Sequence, residues 1–446
     1  MTKNSLLFTV IGVVMTLVLV ACGGSSSSSG DADETSIVGN DIEGATELTF
    51  WTFASQHVDL FEEAAIEWNE EFPDRPLKLV AETYPFDQMH NNLLLALQSG
   101  SGAPDIADVE ISRFPNYLQG VPQLLPMNDH VEPILDKFIE ARFDIYAKDG
   151  QYYGMPTHVG ASVMYYNKEI MDEAGVDIES IQTWDDYVEA GKQVVENTGK
   201  VMTTVHTDDY LPMYQMVSQR GSDWFDENGN LTLDAPENIE VLQFLHDLIY
   251  VHEIAELTPG GEPHAEEFYA HMNEGNVASL AMPIWYMGRF LDNMPDLKGK
   301  MVINPLPAWE EGGFRSAGMG GTGTVVTNQT DDEELAKDFL AYAKLSEKAN
   351  EKLWTVLGFD PPRWDVWDND VFKEDNSFYQ FFGDNIFDVL LDVRDEINSV
   401  NITPSTPSVA SEFGTNIFND VLRQQTKTAE EALRNAQETI EANMQE

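Results

Sequence analysis

From Leu48 onward, short apolar runs alternate with stretches in which large apolar residues recur every three or four positions. "LTFWTF" (Leu48–Phe53) reads as a buried strand; Phe61, Ala65, Trp68 and Phe72 then mark one face of a helix that "FPDRP" closes. "LKLVAET" (Leu77–Thr83) is a second strand, Phe86, Met89, Leu93 and Leu97 line a second helix ending near Gly100, and "PDIADVE" (Pro104–Glu110) is a third strand. Strand–helix–strand–helix–strand with short connections predicts a doubly wound, parallel α/β sheet, because parallel neighbours need a crossover. Ligands of such sheets bind beyond the carboxyl ends of the strands, so the loops after Phe53, Thr83 and Asp108 point at one place.

A second block opens at "YYGMPTHVGASVMYYNKE" (Tyr152–Glu169), where Gly154 and Pro156 interrupt regular structure before another apolar strand. Helices are predicted at Thr183–Val195, with Thr183 and Asp186 as a capping box, and at Pro236–His252; a strand is predicted at Val277–Met282. "FDENGNLTLD" (Phe225–Asp234) has a hairpin turn at Asn228-Gly229. Strands return at Met301–Asn304 and Thr324–Thr327, followed by helices over Asp331–Leu357 and a last helix with Thr428 and Glu431 as its capping box.

Composition changes the picture in two ways. The formal charge, 25 basic against 77 acidic residues, is −52 and is spread along the chain, so a phosphate backbone would meet repulsion and nucleic acid is not expected as a partner. The single cysteine rules out an internal disulfide, and no paired Cys/His spacing suggests zinc. No metal or other cofactor is expected.

That cysteine has a distinctive setting. Lys3 precedes an apolar segment, Leu6 to Ala21, of the length of a secretory signal. Leu19-Val20-Ala21-Cys22 resembles the bacterial lipobox, and the Ser/Gly/Asp-rich stretch that follows has the composition of a flexible tether. Cys22 therefore reads as a lipid anchor, with residues 1–21 as signal peptide and 22–45 as tether, holding the protein on the extracytoplasmic face of the cell membrane.

Catalytic templates are missing: there is no GxSxG elbow, no HExxH, no P-loop and no GxGxxG opening a helix. What stands out is aromatic residues at predicted strand ends and loops beside carboxylates and amides: Trp51, Gln56 and His57; Tyr84; Asp108 and Glu110; His158; Trp224; Trp285 and Tyr286; Arg363 and Trp364. Sugars offer hydroxyl edges that need donors and acceptors and C–H faces that stack on rings, so a cleft with both features suits a carbohydrate.

The order of "LTFWTF", "GSGAPDIADVE" (Gly100–Glu110), "YYGMPTHVGASVMYYNKE", "NEGNVASLAMPIWYMGRF" (Asn273–Phe290), "INPLPAW" (Ile303–Trp309) and "AGMGGTGTVVTN" (Ala317–Asn328) behind a lipobox resembles the family 1 extracellular solute-binding proteins of bacterial ABC sugar importers. The resemblance implies a two-lobed, periplasmic-binding-protein-like α/β fold, each lobe a mainly parallel sheet flanked by helices, with a hinge between. It implies lobe 1 at 46–155 and 305–354 and lobe 2 at 156–304 and 355–446, with crossings near Tyr153–Thr157, Asn304 and Trp354. A monomer would capture a sugar or short oligosaccharide and hand it to the membrane permease subunits.

Carried onto this chain, the likeness places Trp285 as a stacking ring, sets backbone donors of Gly320–Gly323, including Gly321 and Thr322, at the hinge side, and adds Arg363 and Trp364 from "DPPRW". "WTFASQH" lacks the acidic-basic pair that some maltose-type relatives carry, and Phe413 stands where some have tryptophan, so arabinose- and lactose-type ligands are expected as readily as maltodextrins. Two other readings remain open on the residues: a surface-anchored glycoside hydrolase, and a receptor for another solute such as a polyamine.

Overall fold

The computed structural model describes residues 32, 34–39, 42–226, 228–398 and 400–444, so the signal segment, Cys22 and most of the tether lie outside the described residues. Strands β1 (Glu34–Val38), β2 (Thr46–Thr52), β3 (Leu77–Thr83) and β4 (Ile106–Glu110) open the fold, joined by helices α1 (Ser55–Glu71) and α2 (Phe86–Ser99). A short hairpin, β5 (Ala147–Lys148) and β6 (Gln151–Tyr152), precedes β7 (Gly154–Pro156). The chain then builds β8 (Ser162–Asn167), β9 (Thr203–Val205), β10 (Ala255–Leu257), β11 (Ser279–Pro283) and β12 (Met301–Asn304), and returns to the first sheet with β13 (Thr322–Val326).

The first sheet has the order β1-β3-β2-β4-β13-β7. Its β3-β2-β4 centre is parallel, as the crossover argument requires, while β1, β13 and β7 pair antiparallel. Residues on alternate positions of β2 and β3, Leu48, Phe50, Leu77 and Leu79, meet Phe61, Ala65 and Trp68 of α1 and Phe339 of the helix Glu333–Leu345. Helix α2 covers the other face through Met89, Leu93 and Leu97 and stops at Gly100, whose φ of 75° admits the left-handed turn that closes it.

The second half departs from the expected parallel sheet. Its central strands run β11-β8-β12 with both pairings antiparallel; β9 and β10 are parallel, and a parallel bridge from Val201 to Val277 ties the two groups. Every side chain of β8 is buried, so both faces read as apolar and the pattern carries no information about strand direction. Helices flank this sheet as expected, among them Trp184–Thr198 with its Thr183–Asp186 capping box, and Pro236–Tyr250.

Three passages connect the halves: Pro156 to Ser162, Asn304 to Thr322, and the run after Leu357. They are laced together. Thr157 N–H donates to Thr322 O, Met319 N–H to Gly160 O, and Val159 N–H to Asp360 O. The buried Asp360 carboxylate accepts from Gly160 N–H at 3.1 Å and Ala161 N–H at 2.7 Å. Burial pushes this carboxyl up to about 6 even though both N–H groups pull it down.

Candidate functional site

The parallel centre of the first sheet ends at Thr52, Thr83 and Glu110, and its loops face the second half where the passages meet. Below them lies a buried polar set. Asp108 accepts from Thr52 Oγ1 at 2.8 Å and Thr324 Oγ1 at 2.7 Å, and its Oδ2 lies 2.8 Å from Nδ1 of His57 in the first turn of α1. Burial alone would raise the Asp108 carboxyl; His57, Lys344 and the Thr324 hydroxyl outweigh it and hold the group below its ordinary value. Lys344, buried beneath the sheet, is drawn down to about 8 by burial and donates to Thr157 Oγ1 at 2.6 Å, so this network reaches the first passage.

Glu110 sits at the seam. Its Oε2 accepts from both the backbone N–H (2.8 Å) and the hydroxyl of Ser112, while Oε1 is buried with no protein partner. Burial pushes it up to about 7 against the pull of Ser112 and Arg113, and Asp209 from the other half adds repulsion. Asp209 is itself raised to about 6, first by burial.

From the second half, β11 runs into a short helical turn that presents Trp285. Its Nε1 donates to Met319 O at 3.1 Å, and its ring lies parallel to His264 at 6.1 Å between centroids. His158 approaches Trp285 at 6.4 Å and Phe359 at 5.1 Å. Both ring nitrogens of His158 are buried without a partner, and burial depresses its protonation well below the ordinary range.

Arg142 Nη2 donates to Gly320 O at 3.0 Å. A β-carbon on Gly321 would stand 2.6 Å from that Nη2 and 3.0 Å from Tyr146 Oη, so glycine is what lets these groups close on the passage. Arg142 Nε and Tyr146 Oη also lack partners. A carboxylate oxygen, a guanidinium N–H, a phenol and an imidazole, all unsatisfied and gathered at one seam beside an indole, match a ligand rich in hydroxyl groups.

The structure thus brings Gln56, His57, Asp108, Glu110, His158, Trp285, Gly321 and Thr322 to the seam. Gln56 reaches across it to Asp292 Oδ2 at 3.4 Å. Trp51 and Tyr84 pack edge to face at 5.2 Å against the α2 side of the sheet. Trp224 is enclosed in the second half between Tyr214 and Phe413, its Nε1 unpartnered.

Tyr286 is buried in the second core with its hydroxyl on Pro263 O, and Trp364 packs on Trp367 at 5.2 Å. Arg363 commits its guanidinium to Asp365, Glu347 and Leu345 O over the ring of Phe138. Arg142, Tyr146, Lys344, Asp360 and Asp209 join the site unannounced. Only Asp360 had a local signal, a carboxylate ahead of two prolines in a glycine-led turn.

Comparison with known proteins decides the family. The profile described as bacterial extracellular solute-binding protein matches residues 54–350. The chain belongs to that family. As a solute-binding protein of an extracellular group it works outside the cytoplasm.

It is 85% identical over 446 residues, the full length of both chains, to a protein of Halalkalibacterium halodurans named arabinooligosaccharide-binding protein. Identity to a Bacillus subtilis protein of the same name is 47%, covering 97% of this chain and 98% of that one. Among solved structures, an ABC transporter associated binding protein from B. animalis subsp. lactis Bl-04, in complex with beta-1,6-galactobiose, superposes with a TM-score of 0.73 at 22% identity. It covers 89% of this chain and 97% of that one, and shares the two-lobed fold.

Proposed function

We propose that this solute-binding protein captures an arabino-oligosaccharide at the seam between its lobes and delivers it to the permease of an ABC importer. The observation that carries the reading is the full-length 85% identity to an arabinooligosaccharide-binding protein. The seam supports it: Trp285 supplies an apolar face, and Glu110, Arg142, Tyr146 and His158 supply unsatisfied polar atoms. Gln56, His57, Asp108, Gly321 and Thr322 belong to the same seam, whereas Trp51, Tyr84, Trp224, Tyr286, Arg363 and Trp364 are engaged in packing or ion pairs away from it.

On this reading the lobes comprise 46–155 with 305–354 and 156–304 with 355–446, and contacts made to both stabilise the closed form by their excess over the open form. The monomer is held on the membrane by a lipid on Cys22 and performs no chemistry on its guest. Calorimetric titration with arabinotriose, run beside lactose, maltose and spermidine, tests the assignment. Saturable binding of arabinotriose and of no other is expected, with about a hundredfold loss in Trp285→Ala, the scale of a stacking anchor. A preference for spermidine, or arabinotriose binding unaffected by Trp285→Ala, contradicts it.

A further inference from the structure

Glu110 ends β4 where the first sheet meets the passages: it pairs with Thr322 of β13, and the next residue, Ile111, donates its N–H to Gly321 O at 2.9 Å. Its two carboxyl oxygens have different surroundings. Oε2 accepts from the N–H of Ser112, at 2.8 Å, and from the Ser112 hydroxyl, while Oε1 is buried with no protein partner. A carboxylate can only accept, and a buried, bare oxygen on it is costly because nothing replaces the water it has lost. A proton on Oε1 removes the charge and leaves Oε2 free to go on accepting from Ser112.

The neighbours do little to oppose that proton. Arg113 acts on Glu110, but its guanidinium is already tied to Asp87 at 2.7 Å. On the α2 side, the Glu110 N–H donates to His90 Nε2 at 3.0 Å, and burial takes that ring down to about 4, so it is neutral. Tyr146, from the first half, is a phenol that burial keeps protonated. Across the seam stand Asp209 and Tyr210, a second carboxyl and a second neutral phenol.

Two buried carboxyls that act on each other from opposite halves favour one proton between them over two charges. Asp209 brings no cation with it: its Oδ1 accepts from Leu211 N–H at 2.9 Å, and the charge that acts on it is another carboxylate, Glu262. Its effect on Glu110 exists only while the halves are together. Opening separates the pair and returns water to Oε1, so the affinity of Glu110 for a proton falls back toward that of an ordinary glutamate.

A protonated Oε1 is a buried donor without an acceptor in the protein. The hydroxyl, ring and glycosidic oxygens of a sugar all accept. We infer that Glu110 takes a proton from solvent as the halves close, and that its Oε1–H then donates to an oxygen of the bound sugar. The inference rests on the proposed function and adds to it the uptake of one proton per sugar bound.

Titration calorimetry with arabinotriose between pH 5.5 and pH 8, in buffers of different ionisation enthalpy and with melting temperatures recorded, measures affinity and proton uptake together. His158 and His264, held neutral by burial, give up protons on closing and oppose the effect. Comparison with Glu110→Gln cancels them, because the glutamine amide supplies a donor that does not titrate. Glu110 is raised from 4.5 to about 7 when buried, so the affinity linked to its proton is present at low pH and is lost as pH rises through 7. Wild type should therefore weaken relative to Glu110→Gln by about tenfold or more across the range, and at pH 6 should take up about one proton more per sugar.

An affinity ratio between the two that stays constant with pH, or a Glu110→Gln that binds more weakly than wild type at pH 8, overturns the inference and leaves the proposed function standing. Where Glu110→Gln does not fold, Asp209→Asn tests the same pair from the opposite half. It should bind more tightly than wild type at pH 8, and equal or weaker binding overturns the inference. Failure of wild type to bind arabinotriose at any pH overturns both.

Discussion

Replacing Gly321 by alanine is the most direct probe of how the passages shape the seam. The new β-carbon would stand 2.6 Å from Arg142 Nη2, 3.0 Å from Tyr146 Oη and 3.5 Å from Ile111 Cβ. An ordinary contact needs about 3.5 Å, so the guanidinium must withdraw by roughly 1 Å. Arg142 is only 6% exposed, and its Nη2 is held by Gly320 O at 3.0 Å, so withdrawal breaks that bond inside a packed region.

A hydrogen bond to a charged group contributes about 1.5–3 kcal/mol and overpacking costs about 1–3 kcal/mol, which together set the loss at about 2.5–6 kcal/mol. With an unfolding entropy of about 2.1 cal/mol/K per residue over roughly 400 residues, the melting temperature should fall by about 3–7 °C. Because the displaced groups line the seam, arabinotriose affinity should fall with it, by about tenfold or more. Differential scanning calorimetry and titration calorimetry measure both. A variant with unchanged melting temperature and unchanged affinity would show that Arg142 and Tyr146 are not held as described.

Two further outcomes follow from the buried carboxylates. Glu110 is raised in the folded state, to about 7 from 4.5, so the stability linked to its neutral form is present at and below pH 4.5 and is lost as pH rises through 7. At 1.36 kcal/mol per unit, Glu110→Gln should gain on wild type by about 3 kcal/mol between these limits; denaturant unfolding across the range checks it, and a pH-independent difference refutes it. Asp360→Ala strands two buried N–H groups at about 1–3 kcal/mol each, so it should lower stability by about 2–6 kcal/mol and loosen protection of the Gly160 and Ala161 amides in hydrogen exchange. Unchanged exchange at those amides would count against a structural role in joining the passages.

The first half was legible because its signals were local and repeated. Leu48–Phe53, Leu77–Thr83 and Pro104–Glu110 alternate with helical periodicity, and each contributed the strand it promised, β2, β3 and β4. Capping chemistry placed the starts of Trp184–Thr198 and Ala429–Met444 through Thr183 and Thr428.

Strand direction in the second half was hidden, since Val163–Tyr166 are buried on both faces whichever way their neighbours run. At the seam, Trp285 and Glu110 were visible as a ring and a carboxylate at strand ends. Arg142 and Tyr146 were not, because their position depends on packing against Gly320 and Gly321, about 180 residues away in sequence, a contact no local pattern encodes. Arg363 shows the converse: an arginine beside a tryptophan in "DPPRW" resembles a binding pair, yet its partners are Asp365, Glu347 and a backbone carbonyl.

Closure of the lobes on a sugar underlies the proposed function. Small-angle X-ray scattering of the lipid-free protein with and without saturating arabinotriose measures this. A smaller radius of gyration is expected on addition, with the trisaccharide recovered intact. An unchanged radius at saturation, or free arabinose in the recovered sugar, would contradict it.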